Sequence, residues 1–387
     1  MASSPILDPQ DERPRRGQPS RGLLLGIDPI LLLASLALCA FSLVALNATT
    51  QSQLVSRQAL FMGIGVVVVL VASQVDYSRL RELKYGLYGV TIVSILAVIA
   101  LGEETRGSRR ALQAGPIEIQ TSELGKVLLA VVLAAFLVDR TRALQDRQTT
   151  ARIMLLGLVP TALVMSGDLG SALVYVAITL AVLFVAGTSW KHFASLGALG
   201  LAALALVLVA APAAGVDVLK EYQQDRLTSF LHPSDDPSDR GYQQNQSKIA
   251  IGSGGRVGLG DDATQTEFDF LPEQHTDFIF AVVGERWGFI GAALVLSLYA
   301  LLVWRGLRIL TMAKNLYGAL IAGGIVAMIL FQVFVNVGMN VGIMPITGIP
   351  LPLMSYGGSS VLTTLLAVGL LQSIHAQARA SRKGLLT

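Results

Sequence analysis

Several long stretches of this chain carry no Asp, Glu, Lys or Arg, among them 29–55, 58–75, 85–102, 169–190, 287–304 and 315–378. Each is near or above the ~18–20 apolar residues needed to cross the hydrocarbon core of a bilayer. A soluble protein of this size would bury one or two such segments and would surround them with charge. Here 53% of the 387 residues are hydrophobic and 14% are charged, against about 25% charged in soluble domains. The chain is therefore read as an all-α, polytopic membrane protein.

About ten spans follow, at roughly 27–46, 59–75, 85–102, 122–138, 153–167, 169–187, 193–214, 278–304, 316–342 and 354–376. The last two share one uncharged stretch, interrupted by Gly342, Pro345, Gly348, Pro350 and Pro352, a cluster that no straight helix tolerates. Only Gly167 and Asp168 separate the fifth and sixth, so these form either a tight hairpin or one broken element. With the N-terminus inside, the short inner segments hold 18 Lys and Arg and the short outer ones 4. That asymmetry predicts cytoplasmic termini. The organisation expected is a disordered tail (1–26), a transmembrane domain (27–376) with one long extracytoplasmic loop (215–277), and a short C-terminal tail (377–387). The net charge of +3 follows from the inner loops and is no argument for nucleic acid. Cys39 is the only cysteine, so no internal disulfide or cysteine metal site can form. The four histidines show no metal-ligand spacing.

Polar chemistry concentrates on the outer side. In the long loop, the stretch 248–260 begins at Lys248 and is rich in glycine. It suits either backbone contact with a phosphate or a plain flexible turn. The loop ends with Glu273, His275 and Asp277 at the mouth of the eighth span. These residues suit a carboxylate poised at the membrane surface, and equally a helix cap at Thr276 or Asp277. Glu123 and Lys126 lie three apart on one face of the fourth span, and Glu285 and Arg286 lie inside the eighth. Charges within a membrane mark function by default, with snorkelling or a structural ion pair as the plainer reading. Asp168 heads the sixth span, as an N-cap or a site residue, and Arg109 and Arg110 precede Glu123 as anion ligands or solvated charge. Acids and bases converging beside spans able to shelter a lipid tail suit an amphiphilic substrate with an anionic head group. A porter of small ions would place its charges nearer mid-membrane.

The same residues resemble the SEDS proteins, the RodA and FtsW group of cell-wall proteins, over nearly the whole chain. The resemblance is carried by Gly107 to Arg110, Ser122 to Lys126, Asp168 to Gly170, Gly241 to Gly255, Phe270 to Phe280, Asn336 to Asn340 and Pro345 to Ser360. Gln246 to Ala250 and Thr264-Gln265 are more similar to RodA. Ala111, Thr121 and Ser166-Gly167 depart from the family pattern, where Trp, Pro and Gln-Pro are usual. The resemblance implies ten helices in the bacterial inner membrane and a peptidoglycan glycosyltransferase that polymerises lipid II during elongation. It also implies a class B penicillin-binding protein as transpeptidase partner. It makes Asp277 the catalytic residue. Arg109, Glu123, Lys126, Asp168, Lys248, Glu273 and His275 are the candidate substrate-binding residues, the first four expected to line an outer-leaflet cavity. No cofactor is read from the residues; a divalent cation, Mg²⁺ or Mn²⁺, is left open. A lipid II translocase and a scaffold that only recruits the transpeptidase are the competing functions.

Overall fold

The computed structural model describes residues 26–49, 52–102, 104–105, 108–109, 111–114, 117–213, 240–268 and 270–384. Residues 1–25 of the tail read as disordered, Gly107 and Arg110, the part of the long loop holding Tyr222 and Phe230, and the last three residues lie outside them.

Among the described residues ten apolar helices run between two polar ends. They are α1 (Pro29–Asn47), α2 (Ser52–Gln74), α3 (Lys84–Leu101), α4 (Thr121–Val138), α5 (Arg147–Met165), α6 (Leu169–Val185) and α7 (Trp190–Ala205). After the long loop, with its surface helices α8 (Arg240–Ser253) and α9 (Thr264–Glu267), come α10 (Ile279–Met312), α11 (Leu316–Asn340) and α12 (Gly358–Gly384). Among the described residues nine helices are long and apolar enough to span a membrane, and α6, at 17 residues, is a shorter apolar helix. The fifth and sixth spans are two helices packed side by side, separated by a turn at 166–168. Two short antiparallel hairpins were not legible in the sequence. They pair β1 (Glu104–Thr105) with β2 (Ser108–Arg109) and β3 (Leu112–Ala114) with β4 (Ile117–Ile119), between α3 and α4.

Local chemistry sets several helix ends. Asp28 caps α1 by accepting from the Ile30 and Leu31 amides, with Pro29 at the first helical position. Asn315 caps α11 through the Gly318 amide. That helix stops at Gly342, whose φ of 82° places it in the left-handed region. The Gly342 and Ile343 amides return to the carbonyls of Met339 and Gly338, closing a Schellman turn.

Helices α4, α11 and α12 are largely buried and form the centre, whereas α7 buries no residue. Leu33, Leu60, Val93, Leu155, Phe184 and Phe334 face outward and are more than half exposed. An outer belt of this kind requires lipid as the solvent, and in lipid a helix satisfies its backbone polar groups internally.

One end of the bundle is closed by a buried ionic cluster. Asp28 is fully buried and bonds Arg305 of α10 through its carboxylate, with His375 of α12 at 3.8 Å. Its backbone amide and carbonyl are both taken by the Gln372 side chain, at 2.7 and 3.0 Å. Burial alone would raise the Asp28 carboxyl, but the Arg305 bond, the Leu31 amide and the nearby positive charges outweigh it and hold its pKa below the usual range. A depressed folded value means the carboxylate stabilises the fold above its unfolded pKa of about 3.9, and this is lost as pH falls through the folded value. Asp28→Asn should therefore lower the thermal midpoint in detergent at pH 7. Removing one partner of a buried pair costs about 3–5 kcal/mol. The gap from wild type should narrow below pH 4, and a constant gap from pH 7 to pH 3 would remove the ionised carboxylate from the account.

Candidate functional site

The opposite end carries Asp277. The chain reverses at Glu273, which adopts φ 56°, unusual for a residue with a Cβ. Its carbonyl accepts from the amides of Thr276, Asp277 and Phe278, at 3.1 to 3.3 Å. Its carboxylate accepts from the Thr276 hydroxyl at 3.0 Å. His275 sets its ring edge-on to Tyr356 at 5.9 Å. Both neighbours of Asp277 thus help to shape the turn. The N-cap position of α10 is Phe278, which makes no side-chain cap bond, so neither Thr276 nor Asp277 occupies the capping position.

Three consecutive carbonyls of this turn are held from outside it. His275 O accepts from the Tyr356 amide at 2.8 Å, and Thr276 O from the Ser355 hydroxyl at 2.5 Å. Asp277 O accepts from the side-chain amides of both Asn336 and Asn340, each at 3.1 Å. Asn336 also donates to Ile349 O, and the Asn340 side-chain oxygen accepts from the Ala281 amide in the first turn of α10. Asn340 is held in turn by the Ser247 hydroxyl of α8, at 2.9 Å to its carbonyl. Gln58 of α2 completes the frame by bonding Ser355 O and the Gly357 amide. Few backbone degrees of freedom remain at Asp277, a half-buried residue in a turn pinned by α11 and the 343–357 loop.

A second polar group surrounds the start of α6. Asp168 caps that helix through the Ser171 amide at 3.0 Å, and its other oxygen accepts from Gln120 at 3.1 Å. The Gln120 amide donates to Ser359. Gly170 packs against Thr347 and Ile349, so this group adjoins the same loop that frames Asp277. A small cleft here is lined by Thr121, Ser122, Ser166, Gly167 and Asp168, and by the apolar Ile95, Val98, Ile99, Leu163 and Val164. Hydroxyls and a carboxylate beside apolar side chains suit an amphiphile.

Glu123 and Lys126 are not among the residues that line that cleft. Both are at most 2% exposed, and Lys126 Nζ donates to Glu123 Oε1 at 2.5 Å. A lone ammonium within the membrane is costly, so the pair closes on itself inside the bundle. Lys248, a candidate substrate-binding residue, stands apart from that cleft. It is exposed on α8 and lies against Gly342, where a cation complements the carbonyl end of α11. Arg109 lies in β2 opposite Glu104; its side chain lies outside the described residues.

The glycine-rich stretch packs against backbone. Helix α10 is broken at Gly288, with φ 60° and ψ −156°. The amides of Phe289 and Ile290, freed by the break, donate to the carbonyls of Gly255 and Arg256, and Glu285 O accepts from the Leu259 amide. Side chains at Gly254 or Gly258 would collide with the carbonyls of Gly284 and Arg286. Arg286 forms an ion pair with Asp261 at 3.2 Å, the plainer reading of that charge. Among the described residues no three His, Cys, Asp or Glu converge as metal ligands.

Sequence reasoning had not assigned roles to Asn336, Asn340, Ser355, Gln58 and Gln120. The first four sit within or beside uncharged runs, and polar side chains at membrane depth were the available signal.

A family model described as cell cycle protein, covering FtsW, RodA and SpoVE, matches residues 23–380. The peptidoglycan glycosyltransferase MrdB of Escherichia coli K12 is 38% identical over 355 residues, spanning 90% of this chain and 93% of that protein. A chain of a peptidoglycan synthase complex that coordinates polymerization and crosslinking superposes with a TM-score of 0.78 at 32% identity, covering 92% of this chain and 99% of that one. The rod shape determining protein RodA of Thermus thermophilus gives 0.67 at 30% identity, covering 92% and 98%.

Proposed function

The chain belongs to the FtsW/RodA/SpoVE family, the SEDS proteins, and is a multi-pass membrane glycosyltransferase of peptidoglycan synthesis; we propose that it polymerises lipid II into glycan strands during cell elongation, with Asp277 as general base. The observation that carries this reading is the turn at 275–277, whose three carbonyls are each held by another element. Such a frame costs conformational freedom and is worth having where a side chain must be aimed.

The reaction joins the sugar 4-hydroxyl of one lipid II to the anomeric carbon of another chain's terminal MurNAc. The new C–O bond forms as the anomeric carbon's bond to pyrophosphate breaks, and undecaprenyl pyrophosphate leaves with the electron pair. That leaving group is already good and needs charge stabilisation, not protonation. The hydroxyl is a weak nucleophile until its proton is removed, so the demand falls on a base within hydrogen-bond reach. Asp277 takes that proton and later releases it to water. Glu273 and His275 shape its turn, Asp168 and Gln120 mark the polar edge of the neighbouring cleft, and Arg109 and Lys126 supply positive charge towards the pyrophosphate. The residues named here contribute positioning and proton transfer, and no step is assigned to a cation.

A class B penicillin-binding protein is the proposed cross-linking partner, supported by the likeness to a chain from a synthase complex. The proposed membrane is the bacterial inner membrane, with both termini cytoplasmic and the 215–277 loop outside. In a Cys39→Ala background, a cysteine replacing Arg240 should react with an impermeant maleimide added outside the cell. Labelling from the cytoplasmic side alone would invert the topology and detach Asp277 from its substrate. Purified protein given lipid II in detergent, with no transpeptidase activity, should make glycan strands. Movement of labelled lipid II across liposomes without polymer would identify a translocase, and neither activity would leave a scaffold.

A further inference from the structure

Among the described residues, Glu285 is the one fully buried carboxylate at the Asp277 end that the reaction above does not use. It sits in the half-helix 279–287, between the Asp277 turn and the break at Gly288. One carboxylate oxygen accepts from the Gln265 amide at 2.8 Å. The other accepts from the Thr266 amide at 3.0 Å and the Thr266 hydroxyl at 2.5 Å. All three donors belong to α9, and the neighbouring Arg286 pairs instead with Asp261.

The clamp has a path to Asp277. Gln265 O accepts from the Phe270 amide. The next residue, Leu271, is fully buried in a small cluster with Ala250, Phe278, Ala281, Met339 and Ile346. Phe278 and Ala281 flank the start of α10, and Met339 stands beside Asn340. Where α9 sits therefore bears on where Leu271 sits, and Leu271 shares this buried cluster with Phe278, the residue that follows Asp277.

We propose that Glu285 is a positioning residue for glycosyl transfer, clamping α9 of the extracytoplasmic loop to the half-helix behind Asp277 and so fixing the alignment of that carboxylate. This rests on the general-base reading of Asp277. A carboxylate receiving three donors in a buried site is a stiff joint. The Gly288 break, spliced to residues 255–259, lets the half-helix and the loop act as one body. Anything that shifts α9, such as a partner bound on the loop, would be transmitted to Asp277 through this joint.

The test uses full-length protein in detergent with lipid II. Thr266→Val removes one donor and keeps the side chain's shape, Thr266→Ser restores the hydroxyl, and Glu285→Gln replaces the carboxylate by its amide. Thr266→Val should lower kcat about tenfold per folded molecule and Glu285→Gln more, with KM for lipid II within about threefold. Thr266→Ser should recover most of the rate. In parallel, hydrogen–deuterium exchange over 264–278 should rise in Thr266→Val and Glu285→Gln, and stay at the wild-type level at the α11 and α12 cores. Unchanged kcat together with unchanged exchange in both variants would overturn the proposal, as would a loss confined to KM. If wild type makes no polymer, the glycosyltransfer reading fails. The exchange data still decide the clamp, because raised exchange confined to 264–278 supports it and unchanged exchange ends it.

Discussion

Asp277→Asn should express at the wild-type level, insert normally and make almost no glycan. Positioned general bases contribute roughly 10²–10⁴ in rate, so polymer formed from lipid II should fall by at least about a hundredfold. The amide has nearly the volume of the carboxylate and still offers a hydrogen-bond acceptor, so the turn should survive the change. Much of the turn's hold is on main-chain atoms, through Tyr356, Ser355, Asn336 and Asn340. The first turn of α10 is served by the Asn340 side chain, and the N-cap position is Phe278. A capping role for Asp277 forecasts the opposite outcome, because asparagine is as good a cap as aspartate. Initial rates on purified variant and wild type, with melting curves for both, separate the two. Substantial polymer from a well-folded Asp277→Asn protein would remove it from the mechanism and pass the role to Glu273, which lies in the same turn.

The fold was legible because its strongest determinants are local. Uncharged runs gave the number and rough limits of the helices, and the Gly342 to Pro352 cluster gave the loop between α11 and α12. The Asp168 turn was readable as a boundary, and it is a hairpin between α5 and α6. What sequence could not supply was pairing over long distances. Gln58 meets Ser355 across 297 positions, and Asn340 meets the Asp277 turn across 63. Neutral amides in apolar runs announce that a partner is needed but not which partner. The glycine-rich stretch was open between phosphate contact and a flexible turn for a related reason. Its glycines answer to a helix break about thirty residues away, and nothing local says that α10 must break at Gly288. Charge was the least reliable guide to exposure. Glu123 and Lys126 suggest a surface facing substrate, but a buried ion pair and a binding site look alike when only their spacing is visible.

Lys126→Ala should abolish polymerisation, yet that result alone would not say why. Removing the ammonium leaves Glu123 as an unpaired carboxylate at 2% exposure, and breaking a buried pair from one side costs about 3–5 kcal/mol. Lost activity could then reflect a damaged bundle. The decisive variant removes both charges at once, with Glu123→Gln and Lys126→Met keeping the volume of each side chain. Replacement of a buried pair by neutral residues of similar size is often close to neutral for stability. The double variant should therefore melt near wild type. If the pair only supports the fold, it should also polymerise near the wild-type rate. If Lys126 supplies positive charge towards the pyrophosphate, the double variant should stay folded and remain inactive, because methionine offers the departing phosphates no charge. We expect the second outcome. The Lys126 ammonium is held against the Glu123 carboxylate at 2.5 Å, ready to turn to an anion that competes for it. Raising ionic strength would test the same point from the ligand's side. Lipid II binding to wild type should weaken with salt, and binding to the double variant should depend on salt less steeply. Wild-type polymerisation by the double variant would assign the pair to structure and leave charge stabilisation of the leaving group to Arg109.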